Sequence, residues 1–137
     1  MARFIYGGWD DDAEIVSIPC TLDETVAAGD ILRPFVGGAY GLLRKCGDTH
    51  SHAIGIAATA GNAGDTIDML QQGKASVTFA HSISAADVGK AVYVSSTTGQ
   101  ATTTAPSASG SYVIHLGWLQ SDDGTCLIDP KTINYNS

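Results

Sequence analysis

Turn-forming residues interrupt this sequence so often that no long helix fits between them. From residue 13 onward, short apolar segments alternate with Gly, Pro, Asn and Asp signals at intervals of roughly 8 to 12 residues, the rhythm of an all-β chain. The segments are Ala13 to Ile18, ended by Pro19; Asp30 to Val36, which Pro34 pushes toward an edge or a bulge; and Ala39 to Arg44, after Gly37-Gly38. Ala53 to Ala58, Thr66 to Leu70, Lys74 to Phe79, Ala91 to Ser95, Gln100 to Thr104, Tyr112 to Leu119 and Cys126 to Ile128 follow. Lys74 to Phe79 alternates, with Ala75, Val77 and Phe79 on one face, and Tyr112 to Leu119 puts Tyr112, Ile114, Leu116 and Trp118 on its apolar face. Ser84-Ala85-Ala86-Asp87 fits a short capping box, but Gly89 stops it after a single turn. About ten short strands predict an all-β fold, a compact β-sandwich or barrel.

Residues 1 to 12 differ from the rest. Phe4, Tyr6 and Trp9 flank Gly7-Gly8 and lead into Asp10-Asp11-Asp12. Their irregular spacing suits no helix face, so they read as an extended N-terminal arm before a single β domain over 13–137. Large aromatics left in solvent are a binding liability unless something covers them, and aromatics with Arg are the usual interface anchors. Arg3, Phe4, Tyr6 and Trp9 are therefore the candidate partner-binding residues. Inside the domain, Ala28-Gly29-Asp30-Ile31-Leu32 is echoed by Val88-Gly89-Lys90-Ala91-Val92, Ile54-Gly55-Ile56-Ala57 by Leu116-Gly117-Trp118-Leu119, and Gly64-Asp65-Thr66-Ile67 by Gly124-Thr125-Cys126-Leu127. Two readings stay open: a pseudo-repeat of two modules, 26–70 and 86–130, or chance matches between Gly-rich turns.

Charge excludes several partners. Fourteen acids against seven bases give a net charge of −7. A nucleic-acid binder or a binder of acidic lipid needs a basic face, which seven scattered bases do not supply. No apolar run reaches membrane-span length, and the N-terminus lacks the apolar core of a signal peptide, so synthesis in a cytoplasm is expected. Cys20, Cys46 and Cys126, odd in number and widely spaced, read as buried free thiols rather than a disulfide framework or zinc cluster.

No catalytic constellation emerges. Asp68 and Ser84 stand where a phosphate loop before Gly73-Lys74 or Gly89-Lys90 needs its first glycine. Asp10-Asp11-Asp12 lacks the Gly and closing Glu of a calcium loop and reads as a solvated acidic patch. In a strand, His50 and His52 would share one face and could chelate a metal, with His81 or His115 as a third ligand. The favoured reading is a polar loop, with no metal and no cofactor. Asp122-Asp123 before Gly124 reads as a hairpin turn. Tyr93, Tyr112 and Trp118 sit among Val, Leu and Ser without interleaved bases, so they read as core or interface packing rather than a base-stacking platform. A binding or structural role is expected rather than an enzyme.

One stretch is distinctive. Asp87-Val88-Gly89-Lys90-Ala91-Val92-Tyr93-Val94-Ser95-Ser96-Thr97-Thr98-Gly99-Gln100-Ala101-Thr102-Thr103-Thr104-Ala105-Pro106, with Leu116-Gly117-Trp118-Leu119 and Ile128-Asp129-Pro130, resembles the tailed-bacteriophage capsid decoration (cement) or head-fibre proteins. Ala27-Ala28-Gly29-Asp30 followed by Ile54-Gly55-Ile56-Ala57 is similar to their first half, so the resemblance spans roughly residues 26 to 130. It implies a virion protein on the outer surface of the capsid, commonly a homotrimer, whose partner is the major capsid protein, and it implies no catalytic residues. The alternative is a phage tail-fibre or receptor-binding module with a host surface glycan as ligand, for which Trp118 beside Asp122 is the hint.

Overall fold

The computed structural model describes residues 16–34 and 42–137, together with two short paired segments near the N-terminus. Those two are β1 (Phe4–Ile5) and β2 (Gly8–Trp9), an antiparallel pair that sets Phe4 opposite Trp9. The rest is β3 (Val16–Leu22), β4 (Ile31–Pro34), β5 (Leu42–Lys45), β6 (Gly55–Ala57), β7 (Thr66–Ser76), β8 (Ala91–Val94), β9 (Ala101–Thr102), β10 (Tyr112–Leu119) and β11 (Thr125–Tyr135). The fold is all-β. The one helical element among the described residues is a single 3-10 turn, Ala85–Asp87, where the Asp87 carboxylate accepts from the Ser84 N–H at 2.9 Å.

Nine strands form one sheet in the order β3-β5-β4-β6-β7-β11-β10-β8-β9, antiparallel except for β3 with β5. β3 also pairs with β7, from Val16↔Gln72 to Thr21↔Thr66, so β3, β5, β4, β6 and β7 close into a ring. β7 belongs to both halves. Its first part pairs with β3 and β6, while Gly73 to Ser76 pair with β11. Gly73, at the changeover, has φ +104°, a conformation glycine reaches without a Cβ clash. The two segments separated in sequence, Thr66 to Leu70 and Lys74 to Phe79, thus become one strand through Ser76, because the chain stays extended while it exchanges neighbours.

Two cores result. Leu22, Val26, Leu32, Leu43, Ile67 and Met69 fill the ring, whereas Ile31, Ile56, Val92, Ile114, Leu116 and Leu119 belong to a second cluster. Successive strand residues point to opposite faces, so Ile31 and Leu32 on β4, and Ile56 and Ala57 on β6, serve different cores. Each fully buried Leu or Ile contributes about 1.5–3 kcal/mol, so both faces of these short strands are needed. The halves interlock through the β8–β9 turn: the Gly99 N–H donates to the Cys46 carbonyl at 2.8 Å, and the Ile31 N–H donates to the Gly99 carbonyl at 2.9 Å.

The echoed segments occupy matching places over two strands. Gly29 (φ +90°) donates its N–H to the Ala57 carbonyl, and Gly89 (φ +93°) donates to the Leu119 carbonyl. The returning bonds match as well: Ala57 N–H to the Asp30 carbonyl at 2.9 Å and Leu119 N–H to the Lys90 carbonyl at 3.0 Å. The likeness stops at the third strand, where Ile56 faces Leu70 but Trp118 faces Leu127 rather than Pro130.

Two strand ends lie farthest from expectation. Pro19 does not end a strand; it lies inside β3, opposite Asp68. At that point β5 has not yet joined, since its pairing covers only Thr21 and Leu22, so the missing N–H falls where β3 has a neighbour on one side. β11 runs on through Asp129, Pro130 and Lys131 to Tyr135, far past Ile128, because β10 continues to pair with it up to Tyr112↔Tyr135.

Candidate interaction face on the outer sheet

Between His115 and Gly117, β10 has one residue more than β8, a bulge in β10, whereas the two register shifts against β11, at Val113/Ile114 and His115/Gly117, put the extra residue in β11. An extra residue in one strand shifts its alternation by one, which moves every following side chain to the other face. Ile114 and Leu116 are fully buried as the alternation predicts, but Trp118 is not on their face: it is 54% exposed, while Gly117 before it is buried. The assignment of Trp118 to the apolar inner face is therefore corrected by the bulge in β10 between His115 and Gly117.

The outward side chains form two rows, since directly opposed residues in an antiparallel pair share a face. One row crosses β7, β11, β10 and β8 as Lys74, Leu127, Trp118 and Ala91. The other crosses β11, β10, β8 and β9 as Lys131, His115, Tyr93 and Thr102. The rows meet through rings. His115 makes T-shaped ring contacts with Trp118 at 5.1 Å and with Tyr93 at 5.6 Å. Burial, reinforced by the Lys131 charge, holds the His115 pKa below its usual value of 6.5. Asp129, between Leu127 and Lys131 on β11, accepts from the Gln72 side-chain amide at 3.2 Å. Among the described residues, Lys74 and Lys131 form no ion pair.

At the far end of β11, Tyr135 packs against Tyr112 with ring centroids 4.6 Å apart, yet remains 50% exposed, and Ile133 is 56% exposed. A shallow apolar groove of about 520 Å³ opens beside β3 and β5, bordered by Ile18, Pro19, Leu42, Ile54 and Met69.

The histidine pair does not sit in a strand. His50 and His52 lie in the turn and loop after β5, and each ring nitrogen with an assigned contact serves that loop. His50 Nδ1 accepts from the Gly47 N–H at 2.9 Å, and His52 Nδ1 pairs with Ser51 Oγ at 2.8 Å. Burial first, then the Arg33 charge, lowers the His50 pKa. His81 is used elsewhere, its Nε2 accepting from the Thr103 N–H at 3.2 Å. Asp122 and Asp123 sit in the turn joining β10 to β11, where Asp123 accepts from Ser121 Oγ and from the Thr125 N–H at 2.9 Å. Those bonds hold its carboxyl down to about 2. Cys20, Cys46 and Cys126 are buried free thiols, and burial pushes the last two up to about 12.

Of the candidate arm residues, Phe4 and Trp9 fall in the β1–β2 pair, where the backbone register sets them opposite each other, while Arg3 and Tyr6 lie outside the described residues. The outward rows were missed in the sequence because they depend on a bulge. Gly117 inside an apolar strand was the available signal, since a strand glycine often marks one. No family model and no curated protein matches this chain.

Proposed function

We propose that this chain is a viral structural protein that decorates the outside of a tailed-phage head and bridges neighbouring major-capsid subunits. The observation that carries the reading is the exposed apolar end of β11. Ile133 and Tyr135 face solvent at a strand end that extends beyond the β7 pairing, which is how an interface anchor is presented. The reading also draws on the resemblance of residues 26 to 130 to cement proteins, and on the arm residues Arg3, Phe4, Tyr6 and Trp9 as a second anchor. Bridging adds contact area across subunit boundaries, so the expanded shell resists internal pressure. In a homotrimer, three arms acting together would raise avidity by ~10² or more without stronger single contacts.

Co-sedimentation with undecorated capsids tests this. The full chain should pellet with capsids. Deleting residues 1 to 12, or changing Ile133→Asp together with Tyr135→Ala, should weaken pelleting while circular dichroism stays unchanged. Failure of the full chain to pellet overturns the reading. Copy number in purified particles separates it from a tail-fibre module: a decoration protein is present in far more copies than a fibre.

A further inference from the structure

We propose that the outer face of β8, β10 and β11 binds an acidic saccharide, a pyranose bearing a carboxylate, which stacks on Trp118 while Lys74 and Lys131 receive its charge. The platform is built in advance. The indole is 54% exposed and in T-shaped contact with His115 at 5.1 Å, and His115 is in T-shaped contact with Tyr93 at 5.6 Å. A ring already held in place loses little freedom when a ligand stacks on it. An aromatic face offers a flat apolar surface with negative π density, which suits the C–H face of a sugar ring.

Charge selects the class of sugar. The chain as a whole carries −7, yet these two rows contribute two lysines and no acid. The acid beside them, Asp129, has one carboxylate oxygen engaged by Gln72. Lys74 stands two strands from Trp118 in the same row, and Lys131 stands on the adjacent strand in the next row. Strands lie about 4.8 Å apart, so the Lys74 and Lys131 backbones stand roughly 10 Å from that of Trp118, a gap that a long lysine side chain can largely span toward a ring stacked on the indole. A protein partner fits this face less well, because Lys is depleted from the cores of protein interfaces. The site is separate from the capsid reading in its anchor, since Trp118 pairs with Leu127 near the start of β11 while Ile133 and Tyr135 lie at its end.

The test is an NMR titration of the full chain with tetragalacturonate, and with maltotetraose as the uncharged probe. The Trp118 indole signal is identified from its loss in Trp118→Ala. Tetragalacturonate should shift that signal and bind at least about tenfold more tightly than maltotetraose, a difference of about 1.4 kcal/mol. Lys74→Gln with Lys131→Gln should bring the two probes to similar affinity, and added salt should do the same. Trp118→Ala, with unchanged circular dichroism, should bind neither. The proposal is overturned if the Trp118 signal does not move, if both probes bind equally to the native chain, or if the lysine pair can be replaced without loss. None of these results alters capsid pelleting, so this site and the capsid reading fail separately.

Discussion

Gly117 and Leu127 touch backbone to backbone: a Cβ placed on Gly117 would overlap the Leu127 carbonyl oxygen. The same glycine ends the bulge that begins at His115, and it keeps its ladder positions opposite Ile128 on β11 and Val92 on β8. One close approach thus joins three strands and decides that Trp118 points outward.

Gly117→Ala should therefore cost about 3 kcal/mol, the upper range for overpacking against atoms that cannot rotate away. The obstructing atoms belong to the backbone of a central strand, so neither neighbour has a flexible end to move. Urea denaturation measures the loss. A change under about 0.5 kcal/mol would mean that β10 relaxes without its bulge.

Trp118→Ala separates an outward indole from a core one. Truncating a core Trp costs 3–5 kcal/mol, whereas a surface substitution usually stays within about 0.5 kcal/mol. The exposure of Trp118 places it near the second figure, with a small addition for the His115 contact. Leu116→Ala, at a fully buried position of the same strand, should cost about 2–5 kcal/mol. Similar losses for the two variants would return Trp118 to the core.

Much of the strand layout was legible because it rests on local pattern. Tyr112 to Leu119 is bounded by turn signals and reappears as β10 residue for residue, and the turns at Ser84–Asp87 and Asp122–Gly124 follow from their own side-chain bonds. Other features depend on partners remote in sequence. Pro19 is tolerated because of where β5 joins β3, and the closure of β3 onto β7 links residues that no local rule connects. The last strand reads as ending at Ile128 until β10 supplies ladder partners from Lys131 to Tyr135. The outward Trp118 hides behind a single inserted residue, and period-two reading has no means of detecting that shift except the glycine itself.

The thiols should show a graded reactivity. Thiolate is the reactive form, and burial pushes Cys46 and Cys126 up to about 12, with Asp48 and Asp123 nearby adding to the shift. Cys20 is also raised by burial, but its strand lines the open groove beside Ile18 and Pro19. In the native chain a thiol reagent near pH 8 should modify Cys20 first, while Cys46 and Cys126 react only as the chain unfolds. All three should titrate together in denaturant. Rapid native labelling of Cys126 would contradict its enclosure in the second core.

Acid should weaken the fold in two separate windows. Burial first, with Arg33 for His50 and Lys131 for His115, lowers both imidazole pKa values below 6.5. On unfolding they return to about 6.5, so between the two values the unfolded chain binds more protons and stability rises with pH. Their contribution is complete above about pH 6.5 and is lost as pH falls from there through the folded values. Asp87, bonded to Lys90 and Ser84, and Asp123, bonded to Ser121 and Thr125, have carboxyl values lowered from 3.8, Asp123 to about 2. Their contribution is present above 3.8 and is lost only as pH falls toward those lower values. Melting temperature measured against pH should thus begin to drop below about pH 6.5 and drop again below about pH 4. His115→Gln should flatten part of the first decline and leave the second, whereas Asp123→Asn should affect only the second. A melting temperature that stays level between about pH 7 and pH 5 would show that neither imidazole is held neutral by the folded chain.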